Sequence, residues 1–213
     1  MKLIKTAALL MSSYLLVACQ AQEVEIKLSA EEIYAAYEGD TVSIDFEAKV
    51  GERYTQVDEE KRSTIESVTD KLVTHFPDAD IEVDISSDEY EIEIEGQLIV
   101  AQRAPNSGAP YYIKVSESPI TNFLLVTLEP SETYAKFAGA LSDVNMMLKP
   151  DQFQGAKFKI KGSGEKIVFF GSYLSGNPTT IGSEMLSSKS VTVEMKEAIW
   201  QKTSVGFLIE KRN

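Results

Sequence analysis

Apolar residues in this chain recur mostly at every second position, in short runs, and only three segments show helical spacing. A period of two sends successive side chains to opposite faces of a strand, so each run builds a sheet with one apolar face. Val24, Ile26 and Leu28 alternate with Glu25 and Lys27, and Val42, Ile44, Phe46 and Ala48 form a second run. Ile81, Val83 and Ile85 alternate with Glu82 and Asp84; after a turn-like stretch at 86–89, Tyr90, Ile92 and Ile94 alternate with Glu91, Glu93 and Glu95. Two such runs joined by a short polar turn predict a hairpin, its second strand running on to Val100. A loop rich in Pro, Gly and Asn at 104–110 leads to a further strand at 111–115.

The helical segments carry their own start and stop signals. Ser29 with Glu32 three residues on is a capping box. It opens a short helix through Ile33, Tyr34 and Tyr37 that Gly39-Asp40 stops. In the second segment Ile65, Val68, Leu72 and Phe76 fall on one stripe, and Asp58, Glu59 and Glu60 sit where the helix dipole favours acids. Pro77 ends it. Ser131 is placed to cap a third helix with the stripe Tyr134, Phe137, Ala138, Leu141, Val144 and Leu148, closed by Pro150.

The second half otherwise reads as β. Residues 123–128 form an apolar run, as in a strand buried on both faces. Phe158 and Ile160 lead through Gly162-Ser163-Gly164 into 167–170, which predicts a hairpin. Val191 with Val193, and 205–209, are further strands, and the polar stretch 175–190 reads as a long loop with a little strand near Ile181. The expected class is α+β: a mixed N-terminal half with antiparallel strands, then a mainly antiparallel β half carrying one helix. The expected division is an acidic α+β subdomain at 24–117 and a β-rich subdomain at 118–213.

Charge divides the chain in the same way. Residues 20–100 hold 23 acidic and 6 basic side chains, a net of −17, and residues 101–213 hold 10 and 13, a net of +3. Nucleic acid as a partner needs a basic footprint, and none is present. An acidic, solvated face that keeps the protein soluble accounts for the asymmetry.

The first nineteen residues have a different character. Lys2 and Lys5 precede an apolar run from Ala7 to Val17, too short for the ~20 residues that span a bilayer. A basic start and a short apolar run mark a secretory signal. Leu16-Val17-Ala18-Cys19 closes it, and this resembles the lipobox of bacterial lipoproteins at all four positions. The resemblance implies that 1–18 is a signal peptide, that Cys19 becomes a lipidated N-terminus, and that 19–23 is a tether. Lipid chains anchor at about 0.8 kcal/mol per buried CH2, and two or more hold stably. Gln20 follows where the family's inner-membrane members tend to carry Asp, which implies the outer membrane, facing the periplasm. Cys19 is the only cysteine. Its lipidation would leave the folded part without a thiol, so stability must come from an apolar core. In size and layout the mature domain is also loosely similar to small lipoproteins of bacterial genomes and prophages, a likeness that rests on no motif and implies no activity.

Candidate chemistry is sparse. His75, the sole histidine, sits at the edge of the second helix's stripe in its last turn, where a structural role is expected. Zinc of the His and Cys type lacks its ligands. Ser163-Gly164-Glu165-Lys166 has the Ser-x-x-Lys spelling of penicillin-recognising enzymes, but in a glycine-rich turn rather than a helix, and without that family's companion elements. Tyr111, Tyr112, Tyr173 and Trp200 have the chemistry to stack on sugars, but such aromatics more often belong to a core. The acidic hairpin is the most unusual local feature. Glu82, Asp84, Glu91 and Glu93 would share its outer face, where like charges opposite one another cost stability. A divalent cation, a basic partner or neighbouring lysines would offset that cost; a solvated, edge-protecting ladder is the plainer role.

The expectation is a membrane-anchored envelope lipoprotein, not an enzyme, that uses no cofactor and acts as a binding or accessory protein. Its partners would be the membrane, through the N-terminal lipid, and another envelope protein. The alternatives are an envelope glycan enzyme using carboxylates and a cation-binding surface lipoprotein.

Overall fold

The structure, a computed structural model, describes residues 21–53, 56–106, 108–145, 155–174, 177–196 and 205–212. The lipobox with Cys19, the end expected for the third helix at Leu148 and Pro150, and Trp200 lie outside the described residues.

The fold is α+β and mostly β. In chain order its elements are β1 (Ala21–Ser29), α1 (Ala30–Glu38), β2 (Val42–Arg53), α2 (Glu59–His75), β3 (Asp80–Ile85), β4 (Glu89–Ala101), β5 (Tyr111–Glu117) and β6 (Phe123–Pro130). Then come α3 (Tyr134–Val144), β7 (Gly155–Lys161), β8 (Lys166–Leu174), β9 (Asn177–Met185), β10 (Val191–Lys196) and β11 (Val205–Glu210). All eleven strands belong to one sheet, in the order β10-β7-β1-β2-β4-β5-β6-β11-β8-β9, with β3 paired to β4.

The sheet curls into a nearly closed barrel, and β8 is the closing strand. One edge of β8 is taken by β9 along its length, from Lys166↔Met185 to Leu174↔Asn177. Its other edge meets β11 at Ile167 and Val168, and β10 at Ser172, Tyr173 and Leu174. β10, the first strand of the order, is thereby joined to β8, and β9 lies outside the closure. β4 divides in the same way: β3 occupies one edge from Tyr90 to Glu95, and β5 takes over at Ile99. Most pairings are antiparallel, but β1 pairs with β7, and β4 with β5, in parallel.

Two expectations are corrected. The hairpin expected across Gly162-Ser163-Gly164 does not form: β7 lies between β1 and β10, and β8 lies beside β9. The 162–165 connection is a crossover, held where Gly162 N–H donates to Ser187 O at 3.0 Å and Leu186 N–H to Glu165 O at 2.8 Å. Second, in the stretch expected at 175–190 as a long loop, the little strand expected near Ile181 extends over nine residues as β9. β9 pairs with β8 along its length, and its sequence is mostly polar.

Inward positions form one core cluster running from Val24 to Ile209. Tyr90, Phe158, Phe169 and Phe207 are its largest fully buried side chains. Phe158 and Phe207 meet edge to face at 5.5 Å, although β7 and β11 are not neighbours, so this contact spans the interior.

The helices add their apolar stripes to the same core. α1 links the end of β1 to the start of β2, capped as expected: Ser29 Oγ accepts the Glu32 N–H and Glu32 accepts the Ser29 N–H. It buries Ala30, Ile33, Tyr34 and Ala36, and Gly39 ends it in the left-handed region at φ 110°, a conformation that costs glycine little. α2 is capped by Asp58 and buries Ile65, Val68 and Leu72. Phe76, which follows it, packs on Phe46 of β2 at 5.8 Å and edge to face on Phe137 of α3 at 5.5 Å. α3 starts later than Ser131 implied, with Thr133 as its N-cap. The Ser131 hydroxyl instead accepts the Thr133 N–H and donates to Ala109 O, tying the helix to the preceding loop.

Candidate functional site

The acidic hairpin forms as β3 and β4. Glu82 stands opposite Glu93 and Asp84 opposite Glu91, while Ile81 faces Ile94 and Val83 faces Ile92. Tyr90, Ile92 and Ile94 are buried, so β4 keeps a clean alternation. β3 does not: Ile81 and Ile85 are only half-buried and Val83 is 40% exposed. β3 is an edge strand, and among the described residues it pairs with β4 alone.

Part of the repulsion across the hairpin is offset from β2. Lys49 Nζ lies 2.8 Å from a Glu93 oxygen and 3.4 Å from a Glu91 oxygen. The hydrogen bond to Glu93, with Glu91 beside it, holds the Lys49 ammonium above its ordinary range. The outer face continues the pattern, with Lys159 paired to Glu25 at 2.6 Å and Lys27 paired to Glu47. Each exposed pair contributes only about 0–1 kcal/mol. Glu82 and Asp84 lie one strand further out, and among the described residues no lysine or arginine pairs with them. Among the described residues no group of three or more His, Cys, Asp or Glu side chains is arranged to hold a metal ion.

A cleft of about 510 Å³ opens between α2 and β3, lined by Arg62, Glu66, Thr69, Asp70, Val83, Asp84 and Ile85. Three consecutive β3 residues line it. Successive strand residues face opposite ways, so the cleft runs along the edge of β3 rather than over one of its faces. Helical spacing carries the α2 side of the cleft from Glu66 and Asp70 on to Val73, which is 54% exposed. No sequence signal marked this cleft, because it depends on where α2 lies relative to a strand edge.

A second assembly ties the C-terminus to α1. The Arg212 guanidinium grips both carboxylate oxygens of Glu31, reaches Glu165 at 3.2 Å, and lies 4.3 Å over the Tyr34 ring. Tyr34 donates its hydroxyl proton to Glu210 O at 2.5 Å; burial, with Glu165 next, pushes the Tyr34 phenol up to about 12. Burial works to raise the Glu165 carboxyl, but the N–H groups of Ser163 and Glu165 and the Arg212 guanidinium outweigh it and hold it low. Lys211 and Tyr37 both bond Glu117. Together these contacts clamp the segment after β11 onto α1 and the end of β5.

The remaining sequence candidates have structural settings. His75 is half-buried, its ring 5.4 Å from Phe137. Burial first, then Lys71 and Lys136, lower its pKa. The expected gain from a cationic residue in the last turn is therefore opposed by its surroundings. Ser163 lies in the crossover, its N–H donating to Glu165 at 2.6 Å, and Lys166 opens β8. The helical juxtaposition that Ser-x-x-Lys chemistry needs is not made. Tyr112 is buried and Tyr111 packs edge to face on Tyr134 at 5.5 Å, while the Tyr173 side chain and Trp200 lie outside the described residues. Among the described residues no helix is long and apolar enough to cross a membrane.

A scan against protein-family models finds no match, and a search of the curated proteins finds none either.

Proposed function

We propose that this chain is a lipoprotein of the bacterial envelope, anchored in the outer membrane and facing the periplasm, that works by binding another envelope protein rather than by catalysis. The observation that carries the anchor is Leu16-Val17-Ala18-Cys19 at the end of a basic, then apolar, leader. β1 begins at Ala21, two residues beyond Cys19, a reach of roughly 7 Å. The barrel would then sit close to the lipid headgroups.

That placement gives the molecule a direction. Ala21 pairs with Val50, and β2 and β4 carry the same end of the sheet through Gly51↔Glu91 to Asp84. The free end of the hairpin therefore points toward the membrane, and α1 with the C-terminal clamp points away. Binding is supported by the cleft along β3, which offers a strand edge, exposed apolar side chains and unequal charge on one open surface. A tethered domain meets a membrane-bound partner at high effective concentration, so a modest affinity suffices.

Cross-linking in intact cells followed by isolation of the tagged protein tests this reading. A discrete protein partner should be captured by the parent chain and strongly reduced with Cys19→Ala expressed at the same level. Capture of no discrete partner by the parent, or equal capture by Cys19→Ala, would overturn it.

A further inference from the structure

We propose that the open edge of β3 accepts an extended, basic segment of a partner protein, which adds as one more strand and lies in the cleft against α2. This rests on the binding reading above and gives it a site and a ligand chemistry. It does not depend on the lipid.

An edge strand presents a row of backbone donors and acceptors on its outward side, and an extended peptide satisfies them by pairing. β3 has six residues and a single neighbour, β4, among the described residues. At about 3.3 Å per residue its edge is roughly 20 Å long, enough for a six-residue strand. Natural edges are blunted by a bulge, a proline, a covering element or charged side chains, and β3 has the last in Glu82 and Asp84, which turn away an acidic strand but not a basic one. In β3 the ladder to β4 is continuous from Asp80↔Glu95 to Ile85↔Tyr90, and the strand contains no proline. What stands beside it is the cleft, with α2 as the far wall.

Charge selects the occupant. The cleft wall carries Glu66, Asp70 and Asp84 against Arg62 alone, and Glu82 is exposed on the same strand. Lys49, which offsets part of the β4 charge, reaches Glu91 and Glu93 and is not paired with Glu82 or Asp84. A second copy of this chain would bring a β3 bearing Glu82 and Asp84 against the same residues, and like charges across a strand pair are destabilising. An acidic or neutral segment would leave the wall carboxylates desolvated without partners. A segment alternating lysine or arginine with aliphatic residues meets both requirements. Its cations would face the carboxylates, and its apolar side chains would cover Val83, and Val73 on the helix.

The test uses the full chain in detergent and three labelled eight-residue peptides, titrated by fluorescence anisotropy. The first alternates lysine and valine. The second is the same peptide with every other backbone amide N-methylated, which keeps its charge and side chains but removes its pairing edge. The third replaces lysine with glutamate. The lysine peptide should bind saturably, the methylated one at least tenfold more weakly, and the glutamate one not at all. Glu66→Lys with Asp84→Lys, both at exposed positions, should weaken the lysine peptide at least tenfold, with the far-ultraviolet circular dichroism unchanged. Equal binding of the methylated peptide would mean diffuse charge attraction and overturn strand addition. Unchanged affinity in the folded double variant, no saturable binding, or a β3-to-β3 dimer of the free chain would overturn it too. If the peptides fail while the parent chain still captures a partner in cells, the β3 site is wrong and the binding reading stands. If capture fails as well, both fall.

Discussion

Phe46 and Gly96 stand directly opposite each other on β2 and β4, and the Phe46 ring occupies the space that a side chain on Gly96 would need. A Cβ at position 96 would lie 3.0 Å from Phe46 Cε1 and 2.9 Å from the Ala79 Cβ. The glycine is thus required by close approach, and it lets the ring reach Phe76 beyond α2. Gly96→Ala should lower stability by about 1–3 kcal/mol, the usual cost of overpacking. The urea midpoint checks this; an unchanged midpoint would mean that the Phe46–Phe76 contact relaxes freely.

Leu72 lies in the middle of the α2 stripe and is 5% exposed. Leu72→Ala should destabilise the fold by about 2–5 kcal/mol, the transfer loss plus the cavity left behind. Because α2 shares one core cluster with the strands, fluorescence and circular dichroism should report the same shifted transition.

Much of this local structure is legible because its causes are local. Ser29 and Glu32 are three residues apart, and Asp58 precedes the helix it caps. The hairpin register of β3 and β4 follows from a short turn and period-two alternation. Barrel closure is not local. Val24 pairs with Ala156 in parallel, a contact that no turn sequence announces, and that pairing removes β7 from the hairpin with β8 that its glycines suggest. β9 shows in the sequence only as a little strand near Ile181, because its residues are mostly polar and carry no apolar alternation. Glu82, Asp84, Glu91 and Glu93 are legible as a cluster, but the position of Lys49 beside two of them, and of α2 beside the strand edge, depends on tertiary packing.

The lowered pKa of His75 makes a prediction about acid. Burial disfavours its charged form, so the unfolded chain binds the proton more readily than the folded one. Stability is then greatest above the ordinary histidine value of ~6.5 and falls as pH drops through it. His75→Gln should remove part of the stability lost between about pH 7.5 and 5.5, measured as the change in urea midpoint. A variant whose loss over that interval equals the parent's would contradict the assignment.

Lys49 between Glu91 and Glu93 predicts how the hairpin responds to ions. Sodium chloride and calcium chloride at matched ionic strength should raise the melting temperature similarly, because exposed charges are screened within ~8 Å at physiological salt. Lys49→Met should make that salt stabilisation larger by unmasking the repulsion. A saturable, calcium-specific rise that is lost in Asp84→Asn would instead establish a cation site in the hairpin.

The anchor at Cys19 is tested most directly by intact-mass and N-terminal peptide mass spectrometry of the protein extracted from bacterial membranes. The predicted result is a chain that lacks residues 1–18 and begins at a Cys19 carrying a thioether-linked diacylglycerol, with Cys19→Ala unprocessed and released from the outer-membrane fraction. A mature chain with an unmodified Cys19, or a Cys19→Ala protein held in that fraction as firmly as the parent, would contradict the account.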